Sequence, residues 1–175
     1  ITSGGNYNVT VGDEAGTAIT TGDNNVAIGY QALSTEDANG NNVAVGYRAL
    51  KTLNVGDNGL NTAVGYLAGT AITTGRQNTI VGAETGDALT TGEENVAIGQ
   101  NALSTDTKGN HSVAIGNSAL RFQNFTSATD TYNTAVGYVA GLSVTTGINN
   151  TLIGGLAGDA LTTGSDNTVL GKSAL

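Results

Sequence analysis

Cysteine, proline, methionine and tryptophan are all missing from this chain of 175 residues. Without cysteine there is neither a disulfide nor a cysteine-held metal. Large side chains are scarce as well: there are two Phe and six Tyr, and aromatics make up 5% of the residues. Charged residues amount to 11%, against about 25% in ordinary soluble domains. A compact core of large side chains cannot be assembled from this material, so the fold must be stabilised in another way. The cations Arg48, Lys51, Arg76, Lys108, Arg121 and Lys172 are scattered, and the net charge is −8. No basic stripe exists to neutralise phosphates, which argues against a nucleic-acid partner. No apolar run approaches the roughly 20 residues that cross a bilayer, so no membrane insertion is expected. The chain starts at Ile1 without Met and is read as a fragment of a longer protein, residues 1–175 forming a single domain.

What the chain has instead is glycine, 27 of them, in a fixed rhythm. NNVAIGYQALST at 24–35 returns as ENVAIGQNALST at 94–105. An anchor glycine ends a short Val/Thr-x-Val/Ile/Leu motif at Gly12, Gly29, Gly46, Gly65, Gly82, Gly99, Gly116, Gly137, Gly154 and Gly171. The spacing is 17 residues except after Gly46 and Gly116, where it is 19 and 21. Three and four residues past the anchor stands Ala-Gly (once Thr-Gly) or Ala-Leu, in an order that repeats every four units. A block of about 70 residues was duplicated on top of an older unit of 17 residues.

β-Branched residues dominate the positions one and three before the anchor, for example Val43 and Val45, or Thr79 and Val81. Both point to one face of a strand. The residue between them, such as Ala44 or Ile80, is apolar too, so this strand needs cover on both faces. Five units continue into Thr-Thr-Gly, at Ile19–Gly22, Ile72–Gly75, Leu89–Gly92, Val144–Gly147 and Leu161–Gly164, which reads as a second short strand closed by a turn. Two strands and two turns per 17 residues predict an all-β chain. The expected form is a parallel β-solenoid of ten 17-residue coils, stacked about 4.8 Å apart into a rod of roughly 45 Å. Equivalent residues then form ladders. Asn25, Asn42, Asn61, Asn78, Asn95, Asn133, Asn150 and Asn167 make one, begun by Asn8 and interrupted at Ser112. The uncovered apolar strand face calls for a second copy of the chain.

Residues able to do chemistry are few. His111 sits at a turn with no spaced His, Cys or Glu partner and reads as a solvated residue. The pairs Asp13–Glu14, Glu36–Asp37 and Glu93–Glu94 place adjacent acids on opposite faces. Asp87 and Asp159 are equivalent but four coils apart, roughly 19 Å, too far to share a glycosidic bond. No phosphate-binding glycine loop, EF-hand or calcium nonapeptide is present, and neither catalytic, metal nor cofactor sites are expected. Tyr30, Tyr47, Tyr66 and Tyr138 follow anchor glycines. They serve either corner packing or a strip for stacking sugars, packing being preferred. The two long intervals are the candidate recognition loops. The first contributes Lys51, Leu53 and Asp57. The second contributes Arg121, Phe122, Phe125 and Tyr132, with both Phe residues either plugging a junction or forming a sticky patch. The shared register places the loops on the same side, and it makes Arg76 and Glu93 neighbours.

SVAIGNSAL at 112–120 resembles the head repeats of trimeric autotransporter adhesins, and NNVAIGYQAL and NTAVGY resemble repeats of phage tail-fibre proteins. The resemblance covers nearly the whole chain, and the spacing fits the tail-fibre repeats better. It implies a left-handed parallel β-roll, an intertwined or side-by-side homotrimer, and a place as shaft or head of a surface fibre. The expected role is structural and adhesive rather than enzymatic, in a virion tail fibre or at a cell surface. Expected partners are copies of the chain itself and a host-surface glycan or protein. A bacterial adhesin head or an extracellular filament subunit is the alternative within this class. An ice-binding solenoid, drawing on the Thr-Thr pairs, and a polysaccharide-cleaving β-helix enzyme are alternatives of other classes.

Overall fold

A computed structural model describes residues 5–36, 38 and 40–175. Its strands are β1 (Val9–Val11), β2 (Val26–Ile28), β3 (Val43–Val45), β4 (Thr62–Val64), β5 (Thr79–Val81), β6 (Val96–Ile98), β7 (Gly109–Asn110), β8 (Val113–Ile115), β9 (Thr129–Asp130), β10 (Thr134–Val136), β11 (Thr151–Ile153) and β12 (Thr168–Leu170). Ten of them form one sheet in the order β1-β2-β3-β4-β5-β6-β8-β10-β11-β12. All pairings are parallel, and Ala27 opposes Ala44 as Ala97 opposes Ala114. The chain is thus a parallel β-solenoid of about nine turns. No helix occurs among the described residues. The remaining strands, β7 and β9, pair with each other beside the second long interval.

One expected element is different. The Thr-Thr-Gly segments are bends, not strands. They still join neighbouring turns: Thr73 N–H donates to the Thr90 carbonyl at 2.9 Å and Thr145 N–H to Thr162 at 2.8 Å. One or two bonds per turn, the second of them long at 3.3–3.4 Å and all alternating with tight corners, are too few for a regular ladder.

Each strand presents its middle residue inward. Ala27, Ala44, Ala63, Ala97, Ala114 and Ala135 are fully buried, with Ile80 and Leu152 in the same column. The anchor glycine follows, and Gly99 shows why no other residue serves. Its φ is +123°, and a Cβ there would lie 2.6 Å from the carbonyl carbon and oxygen of Gly116 in the next turn. Both the backbone conformation and the close approach require hydrogen in place of a side chain.

The alternation of Ala-Gly and Ala-Leu has a packing basis. The fourth residue past the anchor is left-handed in every unit. In one class it is glycine, such as Gly69 (φ +57°). In the other it is leucine: besides the exposed terminal Leu175 (φ 66°), these are Leu33, Leu50, Leu103 and Leu120, at φ 48–52°. The latter are fully buried and fill the interior. In the glycine units the space is filled from three residues further on, by Ile19, Ile72, Leu89 or Val144. A Cβ on Gly69 would sit 2.9 Å from Ile72 Cδ1. One interior position is supplied from two different sites in the sequence.

The asparagine ladder runs through the buried interior. Asn78 donates its backbone N–H and side-chain Nδ2 to Asn61 Oδ1 at 3.0 and 3.2 Å, and Asn95 repeats this on Asn78 at 3.0 and 3.1 Å. The Nδ2 of Asn61, Asn78, Asn95, Asn133 and Asn150 also donates to a carbonyl fourteen residues on, as Asn95 does to Gly109, whereas Asn42 and Asn167 donate two residues back. At Ser112 the ladder lacks an amide, and Gln123 supplies one from the second insertion. Its Nε2 donates to Ser112 Oγ (2.8 Å) and Asp106 Oδ2 (2.6 Å), while its Oε1 accepts from Asn133 Nδ2 (2.8 Å). In the first block the corresponding positions hold Asn42 and Leu53, and the ladder passes unbroken from Asn25 through Asn42 to Asn61.

Candidate functional site

The recognition candidates lie on the two insertions, which the common register sets on one side of the rod. The first departs after Leu50 and rejoins at Asn61. Asn54 N–H donates to the Thr73 carbonyl (2.8 Å) and Gly59 N–H to Gly40 (3.2 Å). The fully buried Glu36 receives Val55 N–H on Oε2 at 3.4 Å. The second insertion repeats the device with Asp106, also fully buried, whose Oδ1 receives Phe125 N–H at 3.0 Å and Gly109 N–H at 3.1 Å. Each acid ties its insertion to the preceding turn. Asp37, next to Glu36, falls outside the described residues.

The candidates divide between interior and surface. Leu53 is fully buried and Phe125 is 8% exposed, so both plug the interior and neither meets a partner. The two Phe residues therefore act differently: Phe122 is 45% exposed with the Arg121 guanidinium 5.4 Å over its ring. Lys51 is half-buried. Asp57 is exposed, with Oδ2 3.6 Å from Arg76 Nη1. Arg76 Nε lies 3.5 Å from Glu93 Oε1, which is the adjacency expected from the repeat. These three charged groups, with Val55, Gly56 and Thr74, line a cavity of about 360 Å³ under the first insertion.

His111 is not the solitary residue expected. It is half-buried, with Nε2 3.4 Å from Glu94 Oε2 and Nδ1 3.2 Å from Asp130 Oδ1, though Nδ1 is not aligned for a hydrogen bond. Tyr132 stacks on its ring, centroids 5.1 Å apart and planes at 11°. Glu94, His111 and Tyr132 hold one position in three successive units, so ladder arithmetic applied to this column reveals the cluster. Glu93 and Glu94, adjacent in sequence, face different partners, Arg76 and His111, across a left-handed bend at Glu94.

Tyr30, Tyr47 and Tyr66 stack at 5.5 and 5.3 Å with interplanar angles of 22° and 13°. Arg48 lies 5.0 Å from the Tyr47 centroid and donates from Nε to Gln31 at 2.9 Å. The facing ring surfaces cover one another, leaving edges and hydroxyls to solvent. Of the Thr-Thr pairs the first column is engaged, the hydroxyls of Thr73, Thr90 and Thr145 donating to carbonyls of the next turn at 2.9–3.2 Å, while Thr74, Thr91 and Thr146 are exposed. Asp87 is half-buried with Oδ1 unpartnered. Burial, and secondarily the charge of Glu84, raises its carboxyl above the ordinary aspartate value. Among the described residues no group of three or more His, Cys, Asp or Glu is placed to hold a metal, and no helix is long and apolar enough to cross a membrane.

The other surface feature is the sheet's outer face. The residues flanking the buried middle column point outward along its whole length. Ile28 and Ile98 are 36% exposed and Ile153 40%. Nine steps of about 4.8 Å and two side-chain columns give a strip of about 43 by 10 Å. No protein-family model, curated protein or solved structure matches the chain.

Proposed function

We propose that this chain is a rigid structural segment of a homotrimeric surface fibre, of the tail-fibre kind, whose insertions contribute to attachment at a host surface. The outward Val, Ile and Thr strip carries the reading. Parallel sheets are normally covered on both faces, and a contiguous apolar patch of about 400 Å² is of the size that is often functional. The strip repeats with the solenoid, so a partner with the same period fits it along its full length. A second copy of the chain has that period. Closed threefold symmetry gives each chain two neighbours and multiplies weak surface contacts into avidity. The left-handed sense of the roll, the subunit number of three and its place on a virion rest on the resemblance to fibre repeats.

Absolute mass in solution tests this. Light scattering should give three times the chain mass of 17.4 kDa. Ile28→Arg with Ile98→Arg should give a monomer with the same β circular dichroism. A wild-type chain that runs as a folded monomer would overturn the proposal.

A further inference from the structure

We infer that the cavity beneath the first insertion is a binding site for a neutral sugar residue. About 360 Å³ lies at the small end of ligand pockets, which begin near 300 Å³. The lining suits a polyol. Arg76 is held between Asp57 and Glu93 at 3.6 and 3.5 Å, which fixes its guanidinium. Sugar hydroxyls both donate and accept. The carboxylates accept their protons, the guanidinium donates to their oxygens, and the Thr74 hydroxyl serves either need. Val55, 2% exposed, backs the recess from the interior. Gly56 keeps the mouth open, since a Cβ there would meet nothing within 4 Å. Two carboxylates against one guanidinium leave the lining with net negative charge, which disfavours uronic and other acidic sugars.

The duplication provides an internal comparison. At the corresponding places the second block has Phe125 for Val55, Thr126 for Gly56, Ser127 for Asp57, Ile148 for Arg76 and Ser165 for Glu93. Every charge is gone, Phe125 is buried, and Ser165 Oγ instead accepts Ile148 N–H at 3.0 Å. The two insertions share an anchoring device and a register, yet the charged recess belongs to the first. That difference has no counterpart in the ladders and is not needed for the fold, because ion pairs this exposed contribute little to stability.

The inference rests on the surface-fibre reading for one point alone, that such a sugar would belong to a host glycan. Saturation-transfer NMR on the 175-residue chain would use methyl glycosides of glucose, galactose and N-acetylglucosamine, with glucuronate as the acidic probe. At least one neutral glycoside should bind with a millimolar Kd, and glucuronate more weakly. Arg76→Gln should weaken binding about tenfold, the loss of one charge-assisted hydrogen bond. Asp57→Asn should weaken it too, and Thr126→Ala in the second insertion should leave it unchanged. Silence with all four probes, or equal transfer in Arg76→Gln and Asp57→Asn, would overturn the inference. Light scattering on the same samples separates the two proposals. A trimer that binds none of the sugars overturns the pocket and leaves the fibre, whereas a monomer that binds does the reverse.

Discussion

Gln123 and Ser112 form a coupled pair whose energetics can be worked from the hydrogen bonds. Gln123→Leu removes three of them. Ser112 Oγ keeps Thr131 Oγ1 at 2.7 Å, and Asn133 Nδ2 keeps the Gly147 carbonyl at 2.7 Å. Asp106 Oδ2 loses Gln123, the partner 2.6 Å away, and one oxygen of the buried carboxylate is left without that donor. That group dominates the cost, about 3 kcal/mol. Ser112→Asn fails for a different reason. Ser112 Oγ already lies 2.8 Å from Gln123 Nε2, so a longer amide is forced into occupied space, at about 1–3 kcal/mol. Made together, the two changes install the pattern of Asn42 and Leu53. The new amide at position 112 would accept Asn133 as Asn133 Oδ1 accepts Asn150, at 2.9 and 3.2 Å. The overpacking disappears, and the residual loss is the missing partner of Asp106.

The double variant should therefore be more stable than the sum of the singles by about 2 kcal/mol, within the range found for residues in contact. Urea unfolding gives the global values. Amide exchange at Phe125 and Asn133 gives the local ones, which matter because neighbouring turns carry the stability of a solenoid. Additivity within about 0.5 kcal/mol would refute the idea that one interior amide has moved between two sequence positions. So would a neutral Gln123→Leu.

Two other substitutions probe the interior and the half-buried acid. Leu103→Gly relieves a left-handed leucine, worth about 1 kcal/mol, but empties a fully buried site, where even Leu→Ala costs about 2–5 kcal/mol. The net result should be a loss of about 2–3 kcal/mol by urea unfolding, and a gain in stability would show that strain outweighs packing. Asp87 has a folded pKa raised above its ordinary 3.8. The native state therefore holds the proton more tightly than the unfolded state, and stability falls as pH rises from 3.8 through the raised value. Asp87→Asn should be more stable than wild type at neutral pH, with the difference vanishing in acid. A difference independent of pH would exclude burial of the charge as its source.

How far the molecule was legible in its sequence follows from solenoid geometry. Residues one period apart are stacked neighbours, so column arithmetic alone places Val26 beside Val43 and Arg76 beside Glu93. The same arithmetic applied to Glu94, His111 and Tyr132 reveals the histidine's partners, which a search for motifs along the chain overlooks. Two things were hidden. The Thr-Thr-Gly segments suggest a second strand, but hydrogen bonding there is interrupted by left-handed corners, which are glycine in some units and leucine or glutamine in others. The burial of Glu36, Asp106 and Gln123 was also invisible. Nothing in a charged or amide residue announces that it faces inward unless the backbone donors awaiting it are known.

The two blocks show how a ladder protein diversifies without losing its ladder. A substitution in a column disturbs the turns above and below it, because every column residue is shared with both. An insertion escapes that constraint once its root is fixed by an interior group. Glu36 and Asp106 fix the roots through the amides of Val55 and Phe125. Beyond that contact the loops are free to differ, and they do. One leaves a charged recess around Arg76, while the other closes over Phe125, pairs β7 with β9 and brings Asp130 and Tyr132 to His111. If this separation holds, exchanging the sequence from Val55 to Leu60 for that from Phe125 to Tyr132 should move the surface features and leave the asparagine ladder intact.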